Sequence, residues 1–527
     1  MLSLLPRRGL TFATSSFPKS SCATRSSSSL SSYSSLVSEF SIHMQLERVA
    51  SLLHWDAMVT MPQTDAHHCE RGLQSAALAG VIHEKQTSKK IGELINEVNI
   101  EELEDEEKAN FELMQKIYRE KTSIPETLAK QQAELSNTAY VDWTKARSSS
   151  DFSQFSSTLK KCFQLSKHLT SLKLGSNPKQ VSLYDKMLDE YERGLHSSRI
   201  TEMFDNVENA LIPLISKVLS SPKPSTSCLS PPSGSSFSIK SQQKLNNAIT
   251  KKLNFKGRSD ISVHPFSTSF SPSDVRITTR FSSQEWYQGL AGSIHEVGHG
   301  FYESNLLKSP VCPINQPLSM GTHESQSLFW ERHVGLSKSF FNYFGDLIRE
   351  ELQFSYSNTE LYKASNKVEP SLIRVEADEL TYPLHVILRT KIERDVTNGD
   401  LEVDQIPRVW NEEMQSLLNI EVPNDGEGCL QDVHWSSLAF GYFPTYLIGA
   451  IAAAQLEYYI RKDLDFNGCI EKGEFGRIEE WLKKKVHVKG SRNKSIDDLF
   501  ESEFGERLNE KYFIEYLTNK YAKLYNL

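Results

Sequence analysis

Phe281-Ser282-Ser283-Gln284-Glu285-Trp286-Tyr287-Gln288-Gly289-Leu290-Ala291-Gly292-Ser293-Ile294-His295-Glu296-Val297-Gly298-His299-Gly300-Phe301 is the stretch on which the reading of this chain turns. Ser282 and Glu285 have the spacing of a capping box, with Phe281 just outside it. Beyond them Trp286, Leu290, Ile294, Val297 and Phe301 gather about 180° to 260° round a helix from His295. His295 and His299 lie opposite, at about 0° and 40°. The stretch therefore reads as a helix that buries one face and presents two histidines on the other. Imidazoles at i and i+4 can reach one metal ion, and the glutamate between them, Glu296, stands where a general base is needed.

A tetrahedral catalytic zinc needs a third protein ligand and an open position for water. Glu303 continues the histidine face but lies about 12 Å along the axis from His295, too far for two bonds of about 2 Å to one ion. A ligand from a second helix fits better, and His323-Glu324-Ser325-Gln326 opens one after a loop through Pro310, Pro313 and Pro317. Glu324 and His323 are rivals for the place. Neighbours on a helix point about 100° apart, so one of the two binds.

Working outward, Asp274 to Phe281 alternates, with Val275, Ile277, Thr279 and Phe281 on one face, and is the clearest strand. Elsewhere apolar residues recur at helical spacing over 92–120, 200–219, 323–356 and 500–526, so the chain is expected to be mainly α with a very small β element. Residues 220–238 hold four prolines and many serines. This loop, taken as 220–240, is expected to join an N-terminal helical part (39–219) to a catalytic part (241–527).

The 527 residues are 38% hydrophobic and 24% charged, with a net charge of −8 and a mean hydropathy of −0.44. No apolar run approaches the ~18 residues of a membrane span. With 59 basic against 67 acidic residues, a polycationic nucleic-acid binder is excluded. Seven scattered cysteines without a CxxC pair argue against a disulfide framework and for a reducing compartment. Residues 1–38 differ from the rest: they contain Arg7, Arg8, Lys19 and Arg25, fourteen serines and no acid. That composition suits a disordered organelle transit peptide, with chloroplast preferred to mitochondrion.

A second motif points to another class. Asp463, Asp465, Asn467, Gly468 and Glu474 match a twelve-residue calcium loop, which raises the alternative of a non-catalytic helical peptide- or calcium-binding scaffold. Lys462 at the end of the incoming helix, and the lack of a second such loop to pair with, count against Ca2+.

Several further motifs stand in order: His264-Pro265-Phe266, Asp274-x-Arg276-x-Thr278, Ile373-Arg374-x-x-Ala377-Asp378, Gly428-x-x-Gln431-Asp432-x-His434-Trp435 and Phe440-Gly441-Tyr442-Phe443-Pro444. Together with His295–His299 and His323–Gln326 they make the chain, from about residue 45 onward, resemble the carboxypeptidase Taq family of zinc metallocarboxypeptidases. The resemblance implies metal ligands His295, His299 and Glu324, with Glu296 as general base. It also implies Zn2+, for which another divalent ion such as Co2+ could stand. The body would be helical and saddle-like with a long groove, a homodimer acting on peptides with a free C-terminus. A carboxypeptidase must hold a terminal carboxylate, which a guanidinium does by paired hydrogen bonds; Arg276 and Arg374 are the candidates. His434 and Tyr442 are candidate donors to the developing oxyanion. His264, before Pro265, is expected to shape a turn or support the site from behind.

Overall fold

The computed structural model describes residues 27–62, 64–175 and 181–527. As expected, helices dominate; the described strands form one three-stranded sheet, β1 (Arg258–Ile261), β2 (Ser267–Ser271) and β3 (Asp274–Thr279). The alternating stretch supplies the central strand. β3 pairs parallel with β1 and antiparallel with β2, with an irregularity between Ser269 and Ser271. Val275, Ile277 and Thr279 point inward as the alternation requires.

The long helical stretches are real but interrupted, and local chemistry explains each break. The 92–120 stretch is two helices, Lys89–Glu97 and Asp105–Thr122; Asn99 turns the chain between them by accepting from the Glu101 amide, and Glu104 and Glu107 close a capping box on the second. The 323–356 stretch is three pieces: a helix Met320–Leu328, a π-helical turn Phe329–Gly335 and a helix Lys338–Leu352 capped by Ser337. The 500–526 stretch divides into Ile496–Phe504 and Lys511–Tyr525, the first ended by Gly505 at φ +76°. Only 200–219 is continuous, as Ser197–Leu219.

The first described helix spans Ser27–Val59, so the expectation of an unpacked segment through residue 38 needs correction for its last residues. Leu36 and Phe40 are buried, and Tyr33 and Val37 pack beside them, a helical spacing that the serines around it conceal. Arg7, Arg8, Lys19 and Arg25 lie outside the described residues.

Among the described residues two apolar cores are present. A small one joins Leu36, Phe40, Ile91, Leu103, Phe111 and Met114. The large one runs from Ala139 to Tyr525 and includes residues from both sides of the Ser/Pro loop, among them Val207, Leu211, Ile294, Val297 and Leu447. Residues 220–238 form no helix or strand, yet Cys228 is buried and its carbonyl accepts a 2.8 Å bond from Trp286 Nε1 at the start of the histidine helix. No helix among the described residues is long and apolar enough to cross a membrane.

Candidate metal centre and groove

The histidine helix spans Tyr287–Asn305 and begins later than the Ser282/Glu285 box suggests. Glu285 does cap it, but from just outside: its carboxylate accepts from the amides of Tyr287 and Gln288, each at 2.7 Å. Ser282 instead accepts from the Gln284 amide. The sheet fixes the helix laterally, since Thr279 Oγ1 donates to the Gly289 carbonyl at 2.8 Å. Leu290, Ile294, Val297 and Phe301 are buried in the large core, leaving the histidine face to the cavity.

The second helix, Met320–Leu328, is started by Ser319, whose hydroxyl accepts from the Thr322 amide. It is held between two close backbone approaches. A Cβ on Gly298 would lie 2.4 Å from the Gln326 carbonyl oxygen, and one on Gly449 would lie 2.7 Å from the Glu324 side chain. Only glycine at both places lets the helix carrying Glu324 come this near the histidines.

The result is a compact donor set. One donor atom each from His295, His299 and Glu324 lies within 4.8 Å of the others, the only such group of three or more among the described residues. Glu324 Oε2 is 3.8 Å from His295 Nε2 and 3.5 Å from His299 Nε2. Two imidazoles and a carboxylate are the donor chemistry of a catalytic divalent ion, and the group fits it.

The ring nitrogens facing away are engaged as well. His295 Nδ1 is 2.7 Å from Glu331 Oε2. His299 Nδ1 is 2.6 Å from His323 Nδ1, and His323 Nε2 is 2.9 Å from Glu303 Oε1. His323 and Glu303, weighed as ligands, thus stand in line behind His299. Such partners fix which nitrogen is free and how the ring is turned.

Burial opposes a charge on His295, but Glu324, Glu331 and Glu296 together outweigh it and raise the imidazole to about 10. Burial and the neighbouring His323 lower His299 to about 4. Burial also opposes the charge of Glu324, but His295 and His299 bring it down to about 2. Glu296, 6% exposed, is pushed up to about 7 chiefly by burial. The site therefore has negative charge to offer a cation and a poised carboxyl beside it.

The centre lies in a groove of about 1790 Å³. One wall comes from N-terminal helices through His43, Glu47, Lys116 and Glu120. Arg374, Tyr442 and His264 line the groove; Arg276 and His434 do not. Arg276 is held by Asp274 through two 3.0 Å bonds and lies over the Phe270 ring at 4.7 Å, so its guanidinium is engaged away from the groove. Arg374, 5% exposed, is bonded to Asp432 at 2.8 Å and to Tyr382, and lies 4.6 Å from the Tyr446 ring centre. Asp432 also binds Arg389 at 2.6 Å, which anchors Arg374 from behind. His434 sits one layer back, its Nε2 3.0 Å from the Tyr446 hydroxyl. Tyr442 packs edge-on against Tyr191 and Tyr446. The His264 ring is exposed, while its carbonyl accepts from Ser262 and Thr278 and so closes the turn before Pro265.

Glu331, Gly298 and Gly449 escaped the sequence reading. Glu331 follows the Glu324 motif by a π turn, a phase that helical periodicity does not register. The segment that matches a calcium loop is not open around one centre. Its centre is a helix, Phe466–Glu471, capped by Asp465; Asp463 binds Trp481 Nε1, Asn467 binds Arg461 and Glu474 binds Arg477. The four side chains serve four separate contacts rather than one ion.

These features agree with what comparison finds. A model of the carboxypeptidase Taq (M32) metallopeptidases matches residues 35–521. Carboxypeptidase 1 of Bacillus subtilis is 37% identical over 489 residues, covering 90% of this chain and 95% of its own. Thermostable carboxypeptidase 1 of Pyrococcus furiosus is 34% identical over 480 residues, covering 89% and 94%. The structure of Trypanosoma cruzi metallocarboxypeptidase 1 superposes with a TM-score of 0.87 at 34% identity, covering 95% of this chain and all of that one. With its helical body, its groove and that match along nearly its whole length, the chain belongs to the carboxypeptidase Taq (M32) metallopeptidase family.

Proposed function

We propose that this metallocarboxypeptidase trims peptides from the C-terminus with zinc held by His295, His299 and Glu324 and with Glu296 as general base. The carrying observation is the three-ligand group within 4.8 Å, set in the groove beside the buried Glu296. A divalent ion there supplies Lewis acidity to the scissile carbonyl and makes water more acidic. Glu296 takes the proton from the attacking water and delivers it to the departing amine. Burial raises its pKa, which favours its accepting that proton. Arg374, anchored by Asp432, receives the terminal carboxylate of the substrate. Tyr442 stays protonated because burial raises it, so its hydroxyl is a donor for the developing oxyanion.

The test compares wild type with Glu296→Gln on a short peptide, with and without a chelator, while following which end shortens. The expected result is C-terminal trimming by wild type alone, with metal content equal in both proteins and zinc found by elemental analysis. Equal trimming by all samples, or internal cleavage, would end the proposal.

Two further parts of the reading are open to simple checks. The family resemblance supports a homodimer, and a solution mass that stays at 59.9 kDa would end that part. The acid-free, serine-rich composition of residues 1–38 supports a plastid address. A fluorescent protein fused to those residues that stays in the cytosol would end it.

A further inference from the structure

The helix that carries Glu324, Met320–Leu328, has only nine residues, so the place of its carboxylate depends on how the first turn is held. A helix begins with four amides that have no partner within it. Ser319 takes two of them, its hydroxyl accepting from Thr322 and its carbonyl from His323. The other two are met from outside the helix. The Met320 amide donates to the Tyr191 carbonyl at 2.9 Å, and the Gly321 amide donates to Glu192 Oε1. Both acceptors lie in the link between a helix Leu183–Leu188 and the helix Ser197–Leu219.

Glu192 is a costly residue for that duty. It is 0% exposed, and its second oxygen makes no hydrogen bond. Burying a half-satisfied carboxyl is unfavourable, and a short uncharged side chain on the helix itself also satisfies an amide. What a glutamate adds is reach. A Cβ on Gly321 would lie 2.7 Å from Glu192 Oε1 and 2.8 Å from Ile448 Cγ2, so the turn is wedged between the two side chains. Ile448 belongs to the helix Pro444–Asp463, whose Gly449 lies against the Glu324 side chain. Glu324 follows Gly321 by three residues, just under one helical turn. A shift of the first turn therefore moves the carboxylate, and bonds to a metal tolerate only about 0.2 Å.

We propose that Glu192 is a positioning residue for the metal site: by holding the Gly321 amide against Ile448 it fixes the Glu324 carboxylate opposite His295 and His299. The inference rests on Glu324 being a ligand and goes beyond it, since Glu192 is not one of the three donors and does not line the groove.

The test separates reach from charge. Glu192→Gln keeps the length and the acceptor oxygen. Burial raises the Glu192 carboxyl to about 8, so near neutrality the amide replaces a protonated acid of the same shape. Glu192→Asp keeps the acid but draws the oxygen back by one methylene. Gly321→Ala disturbs the same contact from the helix side. Affinity for Zn2+ and Co2+ is measured by chelator competition, with the visible absorption of the Co2+ form reporting its coordination. The expected result is a Gln variant within about threefold of wild type, and Asp and Ala variants weakened by about 10–100-fold with altered Co2+ bands. Glu393→Gln, which changes an equally buried acid bonded to Gly441 and Trp435, should leave affinity and spectrum unchanged whatever it does to stability. An Asp variant with wild-type affinity and spectrum overturns the proposal. So does an equal loss in Glu192→Gln and Glu192→Asp, because charge or burial rather than reach would then matter. Glu324→Gln tests the ligand itself. Unimpaired binding there removes the ligand assignment and the proposal with it, whereas weakened binding there beside a wild-type Asp variant removes the proposal alone.

Discussion

At residue scale the catalytic geometry depends on atoms that are absent. Gly298 stands between the two histidines in sequence, and its missing Cβ lets the Gln326 carbonyl pass where 2.4 Å would otherwise separate them. Gly298→Ala is expected to push the Glu324 helix outward, costing about 1–3 kcal/mol of stability as over-packing does. Metal affinity should fall with it, to be read by titration with a competing chelator. Glu296→Gln should behave oppositely: unchanged stability and metal content, with kcat reduced by about 10²–10⁴-fold, the usual share of a general base. Finding both variants equally defective in metal binding would mean that Glu296 is a ligand rather than a base. In the sequence, the pair His295/His299 with Glu296 was legible because a spacing of four on a helix is a geometric statement. Gly298 was not, since its purpose is set by a partner 28 residues further on.

At the scale of elements, the informative piece is the π turn Phe329–Gly335. Its extra residue per turn shifts the phase of the chain after Leu328, and Glu331 comes to bond His295 Nδ1 at 2.7 Å. Glu331→Gln should keep the shape but weaken the pull on the imidazole, lowering metal affinity by about 10–100-fold. His323→Phe should do likewise from the His299 side. Competition titration of each variant checks this, and wild-type affinity in both would show that the outer partners are ornamental. Sequence periodicity located the helices here but merged three pieces into one, because apolar spacing of three and four survives a π turn almost unaltered. The strand Asp274–Thr279 was legible for the converse reason: its apolar and polar residues alternate without a break in the sequence, although Thr278 is buried as well as Ile277 and Thr279. The Asp463–Glu474 match was ambiguous because spacing cannot tell a loop that turns its carboxylates to one centre from a short helix that turns them outward, and the chain forms a short helix there.

At the scale of the whole molecule, buried acids set how stability responds to pH. Burial raises Glu192 to about 8 and Glu393 to about 7, from an ordinary 4.5. The folded protein keeps two protons that the unfolded chain releases between those values. Their contribution is thus complete below about pH 4.5 and is lost as pH rises through 7 and then 8, at up to about 1.4 kcal/mol per unit for each group. Denaturant midpoints should therefore fall between pH 6 and pH 9, and Glu393→Gln should flatten the lower half of that decline. A midpoint that rises over this range would contradict the burial of both groups. The sequence could not foretell this, for Glu192 and Glu393 resemble surface glutamates until Gly321 and Trp435 fold over them.

The two cores also differ in what they can withstand. The three-residue donor group rests in an apolar cluster that reaches from Ala139 to Tyr525, whereas the helices supplying His43 and Lys116 to the opposite wall rest in a cluster of six buried apolar side chains, four of them their own. Local opening follows the number of buried contacts a segment must give up, so the two sides of the groove have unequal stiffness. The catalytic side acts as an anvil and the N-terminal side as a compliant jaw. Amide exchange should be fastest along Ser27–Val59 and Asp105–Thr122 and slowest along Tyr287–Asn305. The jaw can yield to peptides of different girth while the spacing of His295, His299 and Glu324 on the stiff side stays fixed.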